Sequence, residues 1–207
     1  GNGIRCVGKY LYDSGRVKKD VMRIATKSGV KTLRVFASGG RVENVTVDMG
    51  PAEFAPAKIP AAVRDVPEVI DYPLEVGGRE YRITCVSMGN PHCVVFCRHL
   101  DTLELDKIGP LFERHPLFPE RVNTEFVEVI DRRTVRMRVW ERGSGETMAC
   151  GTGACASAVA AVRRGFCDKD AEITVRLLGG DLQIRYTDET VYMTGEAKTV
   201  FTGEIEV

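Results

Sequence analysis

The chain has 207 residues, of which 43% are hydrophobic and 28% are charged, and its 29 basic and 29 acidic side chains give a formal net charge of zero. This composition is typical of a globular protein with a buried core. It offers neither a basic run for nucleic acid nor an apolar run long enough to span a bilayer, so we expect neither partner. Seven cysteines without a regular spacing, and an N-terminus without signal-peptide features, predict reduced thiols in the cytoplasm.

The predicted elements are mostly short strands joined by glycine turns, with three helices among them. The helices fall at 1–14, 103–115 and 151–164, and the first has apolar side chains at helical spacing. Strands are expected at 21–27, 31–37, 42–48, 72–76, 79–88, 92–97, 123–130, 134–140, 172–178, 181–185, 191–194 and 199–207. Three prolines in 51–62 predict an extended linker. The fold class is therefore α+β.

An internal repeat relates the two ends of the chain. Three glycines at the start recur 150 residues later: Gly1, Gly3 and Gly15 match Gly151, Gly153 and Gly165. Each copy opens a helix with a Gly-x-Gly turn, and Cys150 precedes the second turn. We expect two pseudo-symmetric domains. Residues 1–58 form the second half of the first domain, 59–195 the second domain, and 196–207 a final strand returning to the first.

The repeat also predicts what lies outside these residues. The residue that would match Cys150 lies ahead of Gly1. We therefore expect the first domain to be incomplete in this chain. The complete protein should have a further N-terminal segment that ends in the matching residue.

Cys150 is the first candidate for chemistry. The first N–H groups of a helix have no carbonyl partners and carry partial positive charge, so they bind anions and can lower the pKa of a cysteine. The alternative is a small core residue beside an ordinary glycine turn. The repeat favours the chemical interpretation, because two such helix N-termini could hold one carboxylate between them.

Three further segments carry polar residues in suggestive places. Asn90 and His92 lie in a turn, Glu141 and Arg142 lie just ahead of the glycine-rich turn, and Asn123 opens a strand. Each has an ordinary interpretation as a structural histidine, a surface ion pair or a strand start. The position of Glu141 and Arg142 next to the cysteine favours recognition of a charged substrate.

Three other functions fit parts of the pattern. A dinucleotide fingerprint matches Gly151, Gly153 and Ala156, with Glu172 as the ribose acid, but the hairpins lack the alternation with helices that it needs. A zinc site at Cys85, His92, Cys93 and Cys97 lacks a C-x-x-C pair, and neighbouring residues of a strand point to opposite faces. We therefore expect no metal. A Cys–His hydrolase leaves the repeat unexplained.

Together these segments resemble the diaminopimelate epimerase family. The resemblance rests on Gly1-Asn-Gly-Ile-Arg-Cys6, Gly89-Asn-Pro-His92, Phe118-Pro-Glu-Arg-Val-Asn123 and Glu141-Arg-Gly-Ser-Gly-Glu-Thr-Met-Ala-Cys-Gly-Thr-Gly153. It implies two curled antiparallel sheets, each wrapped round a central helix. It also implies epimerisation of LL- and meso-diaminopimelate, in lysine and peptidoglycan precursor synthesis, by two thiols acting on opposite faces of the α-carbon.

The resemblance also assigns roles to residues. Cys150 is one acid/base thiol, and His92 and Glu141 line the reacting centre. Substrate-binding residues are Gly1, Asn2, Asn90, Asn123, Arg142, Gly151 and Thr152. No cofactor is implied, the partner is a small amino acid, and the assembly is a homodimer. Two alternatives remain: an inactive chain of the same fold that lacks the second thiol, or a related amino-acid racemase.

Overall fold

The computed structural model of the protein describes residues 1–64 and 66–205. Its helices are α1 (Asn2–Asp13), α2 (Leu105–Glu113) and α3 (Gly151–Arg163). The strands are β1 (Val21–Thr26), β2 (Gly29–Ser38), β3 (Arg41–Gly50), β4 (Tyr72–Val76), β5 (Arg79–Ser87), β6 (Pro91–Phe96), β7 (Asn123–Asp131), β8 (Thr134–Glu141), β9 (Gly145–Thr147), β10 (Glu172–Leu177), β11 (Gly180–Tyr186) and β12 (Val191–Glu196). The α+β fold class is confirmed. Within the described ranges, no helix has the length and apolar character to cross a bilayer.

The chain divides into two compact units. The first comprises Gly1–Asp48 with Thr194–Val207, and the second comprises Met49–Met193. The predicted repeat is visible in the order of elements, because α1 is followed by β1, β2 and β3 as α3 is followed by β10, β11 and β12. Corresponding elements begin about 150 residues apart, as they do in the sequence repeat. The pseudo-symmetry therefore extends from the glycine turns to the strands behind them.

In the first unit, α1 packs on the antiparallel β1-β2-β3 sheet. Gly8 permits this close packing, since a Cβ there would lie 2.9 Å from a methyl group of Leu33. The C-terminal half of the helix is tied to β3, where Lys9 Nζ donates to the Val42 carbonyl (2.6 Å) and Asp13 Oδ1 accepts from the Val42 N–H (2.8 Å). Helix and sheet are thus joined by polar as well as apolar contacts.

In the second unit, a sheet curls around α3. Its strand order is β4-β5-β6-β7-β8-β10-β11, with the short β9 on β8, and α3 contacts β5, β6, β7, β8, β10 and β11. From Gly151 to Ala161 every residue of α3 except Thr152 is buried. Small side chains on nearly all faces let the helix lie inside the sheet, which is the arrangement that the family resemblance implied.

Two strand pairs differ from the predicted antiparallel arrangement. β6 pairs parallel with β7, and β8 pairs parallel with β10. A parallel pair needs a crossover connection, and here α2 lies between β6 and β7 while α3 lies between β8 and β10. Predicting hairpins from local turn residues misses such pairs, because the partner strands are joined by a helix.

The proline-containing segment 51–62 belongs to the second unit. Ile59 is fully buried in its apolar cluster, and Glu53 forms a bridge with Ser87 beside β5. The segment also contains a short 3-10 turn at Pro56–Lys58. An extended linker was predicted here. The segment instead packs on the second unit, because apolar side chains such as Ile59 are buried in the core of that unit.

The predicted C-terminal strand at 199–207 is wrong for the described residues 199–205. The last strand is β12, and residues 197–205 have no regular structure. Val200, Phe201 and Ile205 are 84–88% exposed. Their apolar character predicts a strand, but a strand forms only where a partner supplies the hydrogen-bond ladder. The remaining two residues of that prediction lie outside the described residues.

Candidate active site

The site is built at the N-terminus of α3, within the second unit. Cys150 is the N-cap residue of this helix, and its sulfur accepts a hydrogen bond from the Gly153 N–H at 3.4 Å. The Thr152 hydroxyl lies 3.6 Å from the same sulfur. Only 6% of Cys150 is exposed. The helix therefore presents a buried thiol among its first N–H groups, as the sequence predicted.

The electrostatic state of this thiol differs from the prediction. Burial raises the pKa of Cys150 to about 12, and the negative charges of Glu125 and Glu141 act in the same direction. The hydrogen bonds from Thr152 and Gly153 lower the pKa but do not compensate. The helix N-terminus is thus outweighed by desolvation and two carboxylates, and Cys150 is a protonated thiol at neutral pH.

Gly153 is required by close packing at the site. A Cβ at this position would lie 2.7 Å from Glu125 Oε1 and 3.2 Å from the Cys150 sulfur. These distances are shorter than van der Waals contact, so only glycine lets α3 approach β7 this closely. The glycine-rich turn therefore leaves room for a carboxylate and a thiol against the same helix residue.

Substitution of Gly153 by alanine should disrupt the site. The added methyl group displaces the Glu125 carboxylate or the Cys150 sulfur, and overpacking of this kind costs about 1–3 kcal/mol. We expect catalytic activity to fall at least about tenfold in a steady-state assay, with a lower midpoint of urea unfolding. Gly203→Ala is the control, since this residue is exposed and a Cβ there would meet no atom closer than 4.0 Å. Wild-type turnover in Gly153→Ala would contradict this account of the packing.

His92 and Glu125 form a buried pair between β6 and β7. His92 Nδ1 lies 2.7 Å from Glu125 Oε1, and both side chains are fully buried. The parallel register sets His92 opposite Asn123 and Val94 opposite Glu125, which brings the two polar side chains to one face. The opposite face carries Cys93, which packs in the apolar cluster of this unit.

Asn90 joins this pair to the helix. Asn90 Oδ1 lies 3.1 Å from His92 Nε2, and Asn90 Nδ2 donates to Thr152 Oγ1 at 3.3 Å. The structure thus brings together four residues that the sequence singled out separately: Asn90, His92, Cys150 and Thr152. They form one continuous chain of contacts that ends at the sulfur.

The remaining predicted residues of this unit form a second group. Asn123 Nδ2 donates to the Pro91 carbonyl (3.0 Å), and Asn123 Oδ1 accepts from the backbone N–H of Arg142 (3.0 Å). Glu141 Oε1 accepts from the Thr147 hydroxyl. Arg142 is exposed and reaches the Glu120 carbonyl. This group borders the cysteine, since the charge of Glu141 acts on the Cys150 pKa.

Two predicted residues belong to the first unit, and one residue of the site was not predicted. Gly1 and Asn2 begin α1 in the first unit, where Asn2 Oδ1 accepts from Arg5 at 3.0 Å. Glu125 was not predicted to act at the site, although it lies in the segment that contains Asn123. Its signal is a charged residue two positions after Asn123, a spacing that places both side chains on one face of the strand.

Comparison with solved structures defines the class of fold. A probable proline racemase from Agrobacterium radiobacter superposes with a TM-score of 0.73 at 17% identity, covering 100% of this chain and 67% of that chain. A hydroxyproline epimerase from Agrobacterium vitis gives a TM-score of 0.68 at 19% identity, covering 94% and 64%. The fold is therefore that of the amino-acid racemases and epimerases.

Comparison of sequences identifies the family within this class. The diaminopimelate epimerase family matches residues 84–200. The chain is 51% identical to the diaminopimelate epimerase of Acetivibrio thermocellus over 210 aligned positions, covering 100% of this chain and 74% of that protein. It is also 53% identical to the diaminopimelate epimerase of Desulfovibrio desulfuricans, covering 99% and 73%. The chain belongs to the diaminopimelate epimerase family, and it is an isomerase.

Proposed function

We propose that this protein interconverts LL- and meso-diaminopimelate by moving a proton at the α-carbon, in lysine and peptidoglycan precursor synthesis. The observation that carries the proposal is the Cys150 thiol seated at the N-terminus of α3, with the Gly153 N–H on its sulfur. Sequence identities of 51% and 53% to two diaminopimelate epimerases support diaminopimelate as the substrate. No observation favours a different racemase or a binding protein of the same fold.

In this mechanism Cys150 acts first as the acid. Its raised pKa keeps the proton on sulfur at rest, so Cys150 gives that proton to the α-carbanion while a second thiolate removes the original proton from the opposite face. After turnover Cys150 is the thiolate and its counterpart is the thiol. The reverse reaction exchanges the roles. By the sequence repeat, the second thiol would be the counterpart of Cys150 in the first copy.

The backbone of α3 would stabilise the negative charge that develops. Gly153 donates to the sulfur and Ala154 to the Cys150 carbonyl. The N–H groups of Gly151 and Thr152 are then the first two of the helix, directed toward a bound α-carboxylate. The resemblance assigns the same task to Gly1 and Asn2 at the start of α1. Fixed dipoles in a site without water can stabilise a carbanion strongly.

Side chains around the thiol would orient the substrate. We propose that His92 and Glu141 face the reacting centre. His92 is linked through Asn90 to Thr152 beside the thiol, and the charge of Glu141 acts on the Cys150 pKa. Asn90, Asn123 and Arg142 would bind the distal amino-acid group, which distinguishes diaminopimelate from simpler amino acids. The exposed guanidinium of Arg142 is suited to a carboxylate.

Three finer properties complete the proposal. The enzyme works without pyridoxal phosphate, since helix N–H groups take the place of an electron sink. It acts in the cytoplasm, because a catalytic thiol needs a reducing compartment, with no membrane or nucleic acid as partner. It is a homodimer, which light scattering of the purified protein can test.

The central experiment follows the α-proton in deuterated water. The protein as its organism produces it should convert LL-diaminopimelate to the meso form with one deuterium incorporated at the inverted carbon, seen by proton NMR and mass spectrometry. Lysine and L-proline should show no exchange under the same conditions. Absence of both inversion and exchange with diaminopimelate would remove the proposed function.

A further inference from the structure

The fully buried carboxylate of Glu125 is not used in the mechanism above, although it lies beside the proposed reacting groups. Its Oε1 atom contacts His92, and its Oε2 atom has no hydrogen-bond partner in the part of the chain that the structure describes. Burying a carboxylate is costly unless it is paired, and apolar side chains of similar size often stabilise a core better. A purely structural role therefore explains Glu125 poorly.

We propose that Glu125 is the positioning residue of this site: its carboxylate holds the His92 ring, and through His92 and Asn90 it fixes the Thr152 hydroxyl beside the Cys150 sulfur. This inference rests on the proposed epimerase function for its kinetic consequence. Its structural part depends only on contacts within the second unit.

The first step of the argument is the orientation of the histidine. One ring nitrogen of His92 faces Glu125 Oε1 at 2.7 Å, so the other, Nε2, is turned toward Asn90. A partner on one nitrogen of a histidine sets which nitrogen carries the proton and which way the ring faces. Glu125 lies on β7 and His92 on β6, both in the parallel pair that fixes their separation.

The second step leads from the histidine to the helix. Asn90 uses both ends of its amide, with the oxygen toward His92 and the nitrogen toward Thr152. It lies in the turn after Gly89, whose φ of +93° belongs to the left-handed region. A side chain in a turn has little packing to hold it, so these two contacts determine its orientation.

The third step is the electrostatic effect on the sulfur. Negative charge faces Cys150 from β7 through Glu125 and from the end of β8 through Glu141. Hydrogen-bond donors face it from α3 through Thr152 and Gly153, and His92 lies behind Asn90 on β6. Glu125 thus influences the sulfur directly by its charge and indirectly by the chain of contacts.

The test is Glu125→Gln, which preserves size and keeps an oxygen for His92 while removing the charge. We expect kcat for diaminopimelate to fall about 10- to 100-fold with KM changed less than about twofold, as for the loss of a group that orients a catalytic side chain. We also expect faster alkylation of Cys150 at a given pH, followed peptide by peptide with chloroacetamide, because removal of a nearby negative charge favours the thiolate.

Glu128→Gln is the matched control. Glu128 lies on the same strand, is half-buried and pairs with Arg136 at 3.1 Å, away from the sulfur. We expect unchanged kinetics and an unchanged alkylation profile. A kcat and an alkylation profile in Glu125→Gln equal to those of wild type would overturn the proposal, as would equal effects in both variants.

Two measurements keep the proposal testable if Glu125→Gln folds poorly. In the His92→Gln background, Glu125→Gln should reduce kcat by a smaller factor than it does in wild type, because only the direct charge effect on the sulfur remains; an equal factor in both backgrounds would overturn the proposal. In wild type, nitrogen NMR of the ring should show a slowly exchanging proton on His92 Nδ1, and its absence overturns the proposal. NMR and alkylation need no substrate, so they judge this inference even if diaminopimelate is not turned over.

Discussion

Replacing Cys150 by alanine should reduce α-proton exchange of diaminopimelate at least about 100-fold in one stereochemical direction or both, since general acid–base groups contribute about 10²–10⁴ to rate. The reason is geometric, because the Gly153 N–H at the start of α3 holds this sulfur. Exchange is measured separately from LL and from meso substrate in deuterated water. A remaining thiol can still exchange the proton on its own face, so the two substrates are expected to respond unequally.

Two variants make this result specific. Cys150→Ser replaces the thiol by a hydroxyl group, which is similar in shape but a far weaker acid. We expect the exchange rate of this variant to remain well below that of wild type. Cys167→Ala removes a buried thiol near the C-terminal end of α3, and its exchange should match wild type. Undiminished exchange of both substrates by Cys150→Ala would remove Cys150 from the mechanism.

Gly109→Ala should be among the most destabilising single-methyl additions in the second unit. A Cβ on this α2 residue would lie 2.3–2.6 Å from three ring atoms of Trp140. The indole has no room to move freely, because its Nε1 donates to Glu113 Oε2 at 2.7 Å. We expect a loss of about 3 kcal/mol, at the upper end of overpacking costs, and a fall in Tm of roughly 6–12 °C.

The measurement is convenient because Trp140 is the one tryptophan of the sequence. Its fluorescence reports local packing, while far-UV circular dichroism reports the whole fold. The matched control is again Gly203→Ala, an exposed position where a Cβ would meet no atom closer than 4.0 Å, which should change stability by no more than about 0.5 kcal/mol. An unchanged Tm in Gly109→Ala would show that α2 can move away from β8 at little cost.

Much of the fold could be predicted from local patterns. The hairpin between β4 and β5 follows from Gly77 and Gly78, which both adopt positive φ and so form the turn type that suits two antiparallel strands. The repeated Gly-x-Gly turns likewise predict α1 and α3. The parallel β6–β7 pair could not be predicted in this way, because its register depends on how α2 packs across the sheet.

The limits at the site have a different physical origin. The sequence places Cys150 at a helix N-terminus, where the helix dipole alone lowers its pKa. Burial is the main cause that raises its pKa to about 12, and the charge of Glu125 adds to it. Glu125 is 25 residues earlier in the chain and reaches the thiol only in three dimensions. The local sequence predicts the effect of the helix dipole on the Cys150 pKa. The effects of desolvation and of distant charges depend on the tertiary fold.

The make-up of α3 has a consequence for how the enzyme can vary over time. Ten of its thirteen residues are buried, and most are glycine or alanine, which lose no rotamer entropy when they become enclosed. The reactive sulfur thus lies at the start of a helix that loses little side-chain entropy on folding. The close packing around this helix leaves little volume for larger side chains. Amino-acid substitutions in this family should therefore concentrate in the outer strands and turns, while α3 should accept little beyond exchanges among the smallest amino acids.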